Sequence, residues 1–214
     1  MMKILGLTGG MGTGVSTTAR LFASFGAHVV SADAIAARAL KNHAVKSRLT
    51  AFFGEKILSG TRISRQKLSA LAFSSAALQK KLVHITHPFI LRAIKKELAA
   101  LQKKERKKVS GKKQGLLPGK RQEMLAVIDA PLLFESGLAK SVDCIAVVWC
   151  PEKVQFARLQ KKHFSLQQAR KRMRFQKPLQ WKAKHADVVI RNAGSLQETK
   201  KQVLKVFRAL LYAE

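Results

Sequence analysis

Residues 7–17 read Leu7-Thr8-Gly9-Gly10-Met11-Gly12-Thr13-Gly14-Val15-Ser16-Thr17, with four glycines inside six positions. A strand-like apolar run precedes the segment and a helical pattern follows it. Glycines at this spacing let successive backbone N–H groups turn inward. With the helix N-terminus behind them they form a cradle for anionic oxygens. Gly9, Gly14 and Ser16 fit the phosphate-loop spacing G-x-x-x-x-G-K-[ST], with Val15 where lysine is expected. The candidate nucleotide-binding residues are therefore Gly10, Met11, Gly12, Thr13, Gly14, Val15, Ser16 and Thr17. The Ser16 hydroxyl is placed to ligate Mg²⁺ held between phosphates. The competing reading is a glycine-rich turn with no ligand.

Position 15 bears on turnover more than on binding. A charge-assisted hydrogen bond from the missing ammonium would contribute ~1.5–3 kcal/mol. Loss of one preorganised transition-state contact slows a reaction by roughly 10²–10³. The backbone donors are untouched, so phosphate binding is expected to survive. Three explanations stand side by side: an engineered substitution, a natural variant rescued by another cation, or a nucleotide binder without turnover.

Two carboxylates complete the chemistry. Asp33 follows a second strand-like run, in Ser31-Ala32-Asp33-Ala34-Ile35. It suits a general base that takes a proton from an attacking hydroxyl and helps hold Mg²⁺ through water; it equally suits a helix N-cap. Asp129 ends the run Met124-Leu125-Ala126-Val127-Ile128-Asp129. It is a second candidate metal-side carboxylate, or a strand-end residue bonded to the next turn.

The elements that must position these groups alternate. Strand-like runs at 3–8, 27–31, 124–129, 144–150 and 188–190 are separated by helical patterns. That alternation predicts an α/β fold, a parallel sheet flanked by helices, with ligands beyond the carboxyl ends of the strands. Gly26 is expected to end the first helix, and Ser195 with Glu198 to form a capping box for the last. Pro88 reads as a first-turn proline. Residues 103–121, about half Lys or Arg, read as a mobile surface loop.

The chain has 214 residues, enough for one such domain with insertions. No apolar run approaches the ~20 residues of a membrane span, and the start is too short for a signal-peptide core. Cys144 and Cys150 sit six residues apart on one strand and cannot pair, which fits a reducing cytoplasm. His84 and His87 share a helix face without a carboxylate or thiol nearby in sequence. Trp149 and Trp181 read as packing residues. Lys and Arg number 41 against 12 Asp and Glu, a formal net charge of +29. Such a surface attracts polyanions: phosphorylated small molecules, membrane surfaces or nucleic acid. The 103–121 run offers a nucleic-acid contact, without aromatic neighbours for base stacking.

Taken together, these segments resemble the dephospho-coenzyme A kinase family of P-loop kinases. The resemblance rests on the opening loop, on Asp33-Ala34-Ile35-Ala36-Ala37-Arg38, on His87-Pro88-Phe89-Ile90 and on Pro131-Leu132-Leu133-Phe134-Glu135. It continues through Arg172, Gln176, Pro178, Lys182, Ala186-Asp187-Val188-Val189-Ile190, Asn192 and Gly194. It implies ATP, with Mg²⁺, as phosphoryl donor and dephospho-coenzyme A as acceptor. It implies a nucleotide core at 1–32, 122–151 and 186–214, a helical substrate-binding insertion at 33–102 and a lid at 152–185. On the same resemblance Asp33 is the catalytic base, and Thr8, Asp33, Arg38 and His87 serve the acceptor. Arg158 and Lys162 are the lid cations, although Lys162-His163 replaces the family's usual Arg-Asp. A kinase, a nucleotide-binding relative without catalysis, another small-molecule kinase and a basic nucleic-acid binder are the rival functions.

Overall fold

The apolar runs Met2–Gly9, Met124–Asp129 and Cys144–Trp149 lie side by side as parallel strands. All six residues of the Met124–Asp129 strand are buried, as are the last five of Met2–Gly9. Strands covered on both faces are expected to read as continuous aliphatic sequence, and these do. A computed structural model of the chain describes residues 2–111, 124–161 and 165–212.

In chain order the elements are β1 (Met2–Gly9), α1 (Val15–Ser24), β2 (His28–Ser31), α2 (Ala32–Ala39), α3 (His43–Phe53), β3 (Leu58–Ser59), β4 (Arg62–Ile63), α4 (Arg65–Ala72) and α5 (Ala76–Gly111). Then follow β5 (Met124–Asp129), β6 (Cys144–Trp149), α6 (Glu152–Gln160), α7 (Leu166–Met173), α8 (Leu179–Lys184), β7 (Val188–Arg191) and α9 (Leu196–Tyr212). They divide into two compact units, Met1–Ser31 with Lys95–Glu214, and Ala32–Ile94.

The first unit holds a five-stranded sheet of order β2-β5-β1-β6-β7, parallel at every pairing. The path leaves β1 toward β2 on one side and later reaches β6 on the other. The end of β1 is thus a topological switch point, where parallel α/β sheets hold their ligands. Leu5, Leu7, Phe22, Leu125, Val127, Val148, Ile190 and Val203 form the core between sheet and helices. Each fully buried side chain of this size stabilises by about 1.5–3 kcal/mol. Helix α1 ends where the sequence placed its stop. Gly26 takes φ 100°, a left-handed value, and its N–H donates to Ala23 while Ala27 N–H donates to Phe22. The capping box of α9 also forms: Ser195 N–H donates to Glu198 Oε2 at 3.0 Å and Glu198 N–H to Ser195 Oγ at 3.2 Å. Both cysteines are free thiols.

The second unit packs Val45, Leu49, Phe53, Ile57, Leu68, Ala72 and Ile85 around one core. It is mostly helical, as expected, but contains the two-residue antiparallel pair β3–β4. Strands that short carry no readable alternation.

Two sequence expectations are corrected. Pro88 lies inside α5 rather than in a first turn. The helix tolerates it at the loss of one N–H donor, and the Pro88 carbonyl still accepts from Arg92 Nε at 3.2 Å. Helix α5 also runs on to Gly111, so 103–111 are helical rather than a loop. Lys, Arg, Glu and Gln are good helix formers, and their charge does not stop propagation. The rest of the basic run, 112–121, lies outside the described residues. No helix among the described residues is long and apolar enough to cross a membrane.

Candidate active site

The glycine loop joins β1 to α1. Gly14 stands at the N-cap of α1 with φ 94°, and no side chain caps the helix. The first intrahelical bond runs from Thr18 N–H to the Gly14 carbonyl at 3.0 Å. The start of α1 therefore presents backbone donors and the positive end of the helix dipole with no side chain in competition. Ser16 is exposed in this first turn, and Thr17 Oγ1 accepts from Arg20 at 3.3 Å.

The loop is held from several sides. Thr13 Oγ1 donates to the Gly10 carbonyl at 2.9 Å. The Thr13 carbonyl accepts from Asn192 Nδ2 at 2.7 Å and from Arg158 Nη1 at 3.4 Å. Asn192 is fixed in turn by Thr199 Oγ1, which donates to its Oδ1 at 2.9 Å. Gly12 is required by close approach: a Cβ there would lie 2.6 Å from the Gln155 carbonyl oxygen. A Cβ on Gly9 would sit 2.8 Å from both the Val148 carbonyl and Val15 Cγ2.

Val15 does not reach along the loop. Its side chain is 7 % exposed, packs in the core with Leu5, Leu7 and Ala19, and lies against Gly9. Under the same glycine sits a cation. Lys182, from α8, is 0 % exposed. Its Nζ donates to the Pro131 carbonyl at 2.7 Å and the Gly9 carbonyl at 3.4 Å, and pairs with Glu135 Oε1 at 3.0 Å. Glu135 Oε1 also accepts the Lys177 N–H at 2.7 Å. Burial pulls the Lys182 pKa down, and the Glu135 carboxylate pulls it back up. Two buried oxygens here, Glu135 Oε2 and Gln155 Oε1, find no partner among the described residues.

The sequence-predicted residues separate as follows. Gly10 to Thr17, Arg158 and Asp129 belong to the first unit. Asp129 closes β5 and is 8 % exposed, paired in register with Leu7 of β1 and Ser31 of β2. Thr8 is fully buried, with its hydroxyl donated to the Pro131 carbonyl at 3.2 Å. Lys162 lies outside the described residues. Asp33, Arg38 and His87 belong to the second unit. Asp33 stands in the first turn of α2, two residues beyond β2. It retains exposed surface, yet partial desolvation raises its pKa, and the Arg65 guanidinium lowers it less strongly. His87 Nε2 is buried without a partner among the described residues. Those residues include no cluster of three metal-ligating side chains. Cys150 is raised by burial and lowered by Arg158, with the net upward, so its thiol stays protonated and inert.

Residues 3–198 match the family model described as dephospho-CoA kinase. The chain belongs to the dephospho-CoA kinase family. Dephospho-CoA kinase of Syntrophotalea carbinolica is 37 % identical over 98 % of this chain and 93 % of its own length. That of Aquifex aeolicus is 36 % identical, covering 98 % of both chains. Among solved structures, TT1252 from Thermus thermophilus superposes with a TM-score of 0.77 at 31 % identity, over 97 % of this chain and 96 % of that one. Dephospho-CoA kinase family membership makes this chain a kinase.

Sequence reasoning gave Asn192 and Lys182 no role beyond their places in a family pattern. It did not single out Gln155 or Arg65.

Proposed function

We propose that the chain transfers the γ-phosphoryl group of ATP to the ribose 3′-hydroxyl of dephospho-coenzyme A, the last step of coenzyme A synthesis. The observation that carries this reading is the uncapped start of α1 behind a glycine loop tied down by Asn192 and Arg158. Such a loop holds its donors in place before the nucleotide arrives, so little reorganisation is needed when charge develops.

The residues take these roles. Backbone N–H groups of Gly10 to Thr17 bind the donor's phosphates. Mg²⁺ comes as part of the nucleotide substrate. The exposed Ser16 hydroxyl, with the Asp129 carboxylate, suits an oxygen-seeking cation of that kind. Asp33 accepts the 3′-hydroxyl proton as the new P–O bond forms. The bond between the γ-phosphorus and the bridging oxygen breaks, and ADP leaves. Its desolvation-raised pKa brings Asp33 closer to the operating pH, which favours a base. Arg38 and His87 serve the acceptor, and Thr8 holds the strand end through Pro131. Arg158, already on the Thr13 carbonyl, supplies positive charge to the donor side, with Lys162 as its companion.

The test is phosphoryl transfer from ATP to dephospho-coenzyme A, run with the chain as it stands and with Val15→Lys. Transfer by both forms is the expected result. ATP binding without transfer in either form would mark a nucleotide binder instead.

A further inference from the structure

The phosphate loop lacks its lysine, yet a buried ammonium lies directly against it. Val15 Cγ2 and Lys182 Nζ both converge on Gly9, one on its Cα side and one on its carbonyl. We propose that Lys182, which belongs to the family pattern whether or not the loop has its own lysine, is a positioning residue for this loop that supplies positive charge from beneath Gly9 where Val15 supplies none. The inference rests on the ATP-binding reading above.

Two physical effects follow from the contact. First, a carbonyl oxygen at the end of β1 repels the phosphates the loop must hold. An ammonium bonded to that oxygen offsets the repulsion, and its charge acts at close range inside a poorly solvated site. Second, a trans peptide sets C=O and N–H on opposite sides, and none of the described peptides is cis. Pinning the Gly9 carbonyl toward Lys182 therefore aims the Gly10 N–H the other way, as a fixed donor at the start of the cradle.

Glu135 and Pro131 explain why the lysine stays there. Each completes the ammonium's hydrogen bonding, and the Lys177 N–H steadies the carboxylate. The other nearby cation, Arg158, meets the loop at the Thr13 carbonyl rather than at Gly9, and its Nη1 also donates to Cys150 Sγ at 3.9 Å.

The test is a cycle of variants read by ATP affinity without acceptor and by kcat and KM for ATP. Lys182→Met is combined with Glu135→Gln, so that no carboxylate is left buried and unpaired. This pair is expected to lose about tenfold to a hundredfold in ATP affinity or kcat/KM, the equivalent of one charge-assisted hydrogen bond. Adding Val15→Lys should restore most of that loss. A role confined to packing would not be rescued from position 15. Parental kinetics in the pair, or failure of Val15→Lys to rescue a folded pair, overturns the proposal. Glu135→Gln alone gives a second reading should the pair fail to fold. Removing the opposing charge 3.0 Å from Nζ should tighten ATP, whereas unchanged or weaker binding refutes the idea. A parent without transfer whose ATP affinity still follows the cycle would sink the kinase reading and leave this inference standing.

Discussion

Asn192 Nδ2 donates to the carbonyl of Thr13 at 2.7 Å, across 179 positions of sequence. This buried bond ties the end of β7 to the phosphate loop, and Thr199 holds the amide in place at 2.9 Å. Asn192→Ala should cost about 1–3 kcal/mol, the range for orphaning buried hydrogen-bond partners. Asn192→Asp should cost more, because it sets an oxygen against the Thr13 carbonyl oxygen. Denaturant unfolding measures the first effect, and ATP titration shows whether the loosened loop also weakens binding.

Such long-range ties are what the sequence could not display. The glycine loop, the Gly26 stop and the Ser195–Glu198 capping box were legible because each depends on neighbours within a few residues. The parallel sheet was legible because its buried strands are continuous aliphatic runs. Lys182 on Gly9 and Asn192 on Thr13 join residues separated by 173 and 179 positions. No periodicity encodes those pairings; they exist because β7 and α8 fold back onto the end of β1. The Pro88 and 103–111 expectations failed for another reason. Local breaker signals were weighed alone, while packing around Ile85 and Ile94 and good helix formers beyond carried α5 through.

Gly12 is expected to tolerate no side chain. Its φ of 78° is left-handed, and a Cβ would press against the Gln155 backbone at 2.6 Å. Gly12→Ala should destabilise by about 1–3 kcal/mol from backbone strain and displace either the loop or the start of α6. ATP affinity should fall with it. Gly54→Ala is the control: φ is similar at 76°, but open space surrounds the position. Its unfolding midpoint should drop while ATP affinity holds.

The α9 capping box separates stability from function. Ser195→Ala removes the acceptor for Glu198 N–H and should cost about 0.5–2 kcal/mol. Ser195 does not belong to the loop, so KM for ATP should stay at the parental value. A large change in KM would mean that α9 communicates with the loop through Thr199 and Asn192.

The pH dependence of Asp33 has opposite signs for folding and for catalysis. Desolvation raises its folded-state pKa, only partly offset by Arg65. The folded chain thus binds this proton more tightly than the unfolded chain does. Its contribution to stability is present at low pH and is lost as pH rises through the raised value, a small effect for a carboxylate with exposed surface. Catalysis needs the ionised base, so kcat/KM should fall as pH drops through that same value, above the ordinary carboxylate range. Arg65→Met removes the charge that opposes the shift, and the acid limb should move to higher pH. Asp33→Asn should lower kcat by roughly 10²–10⁴, the usual worth of a general base, and flatten the limb while ATP still binds. A pH–rate profile of the three proteins decides the matter. An acid limb that stays put in Arg65→Met, or survives in Asp33→Asn, would assign the titration to another group.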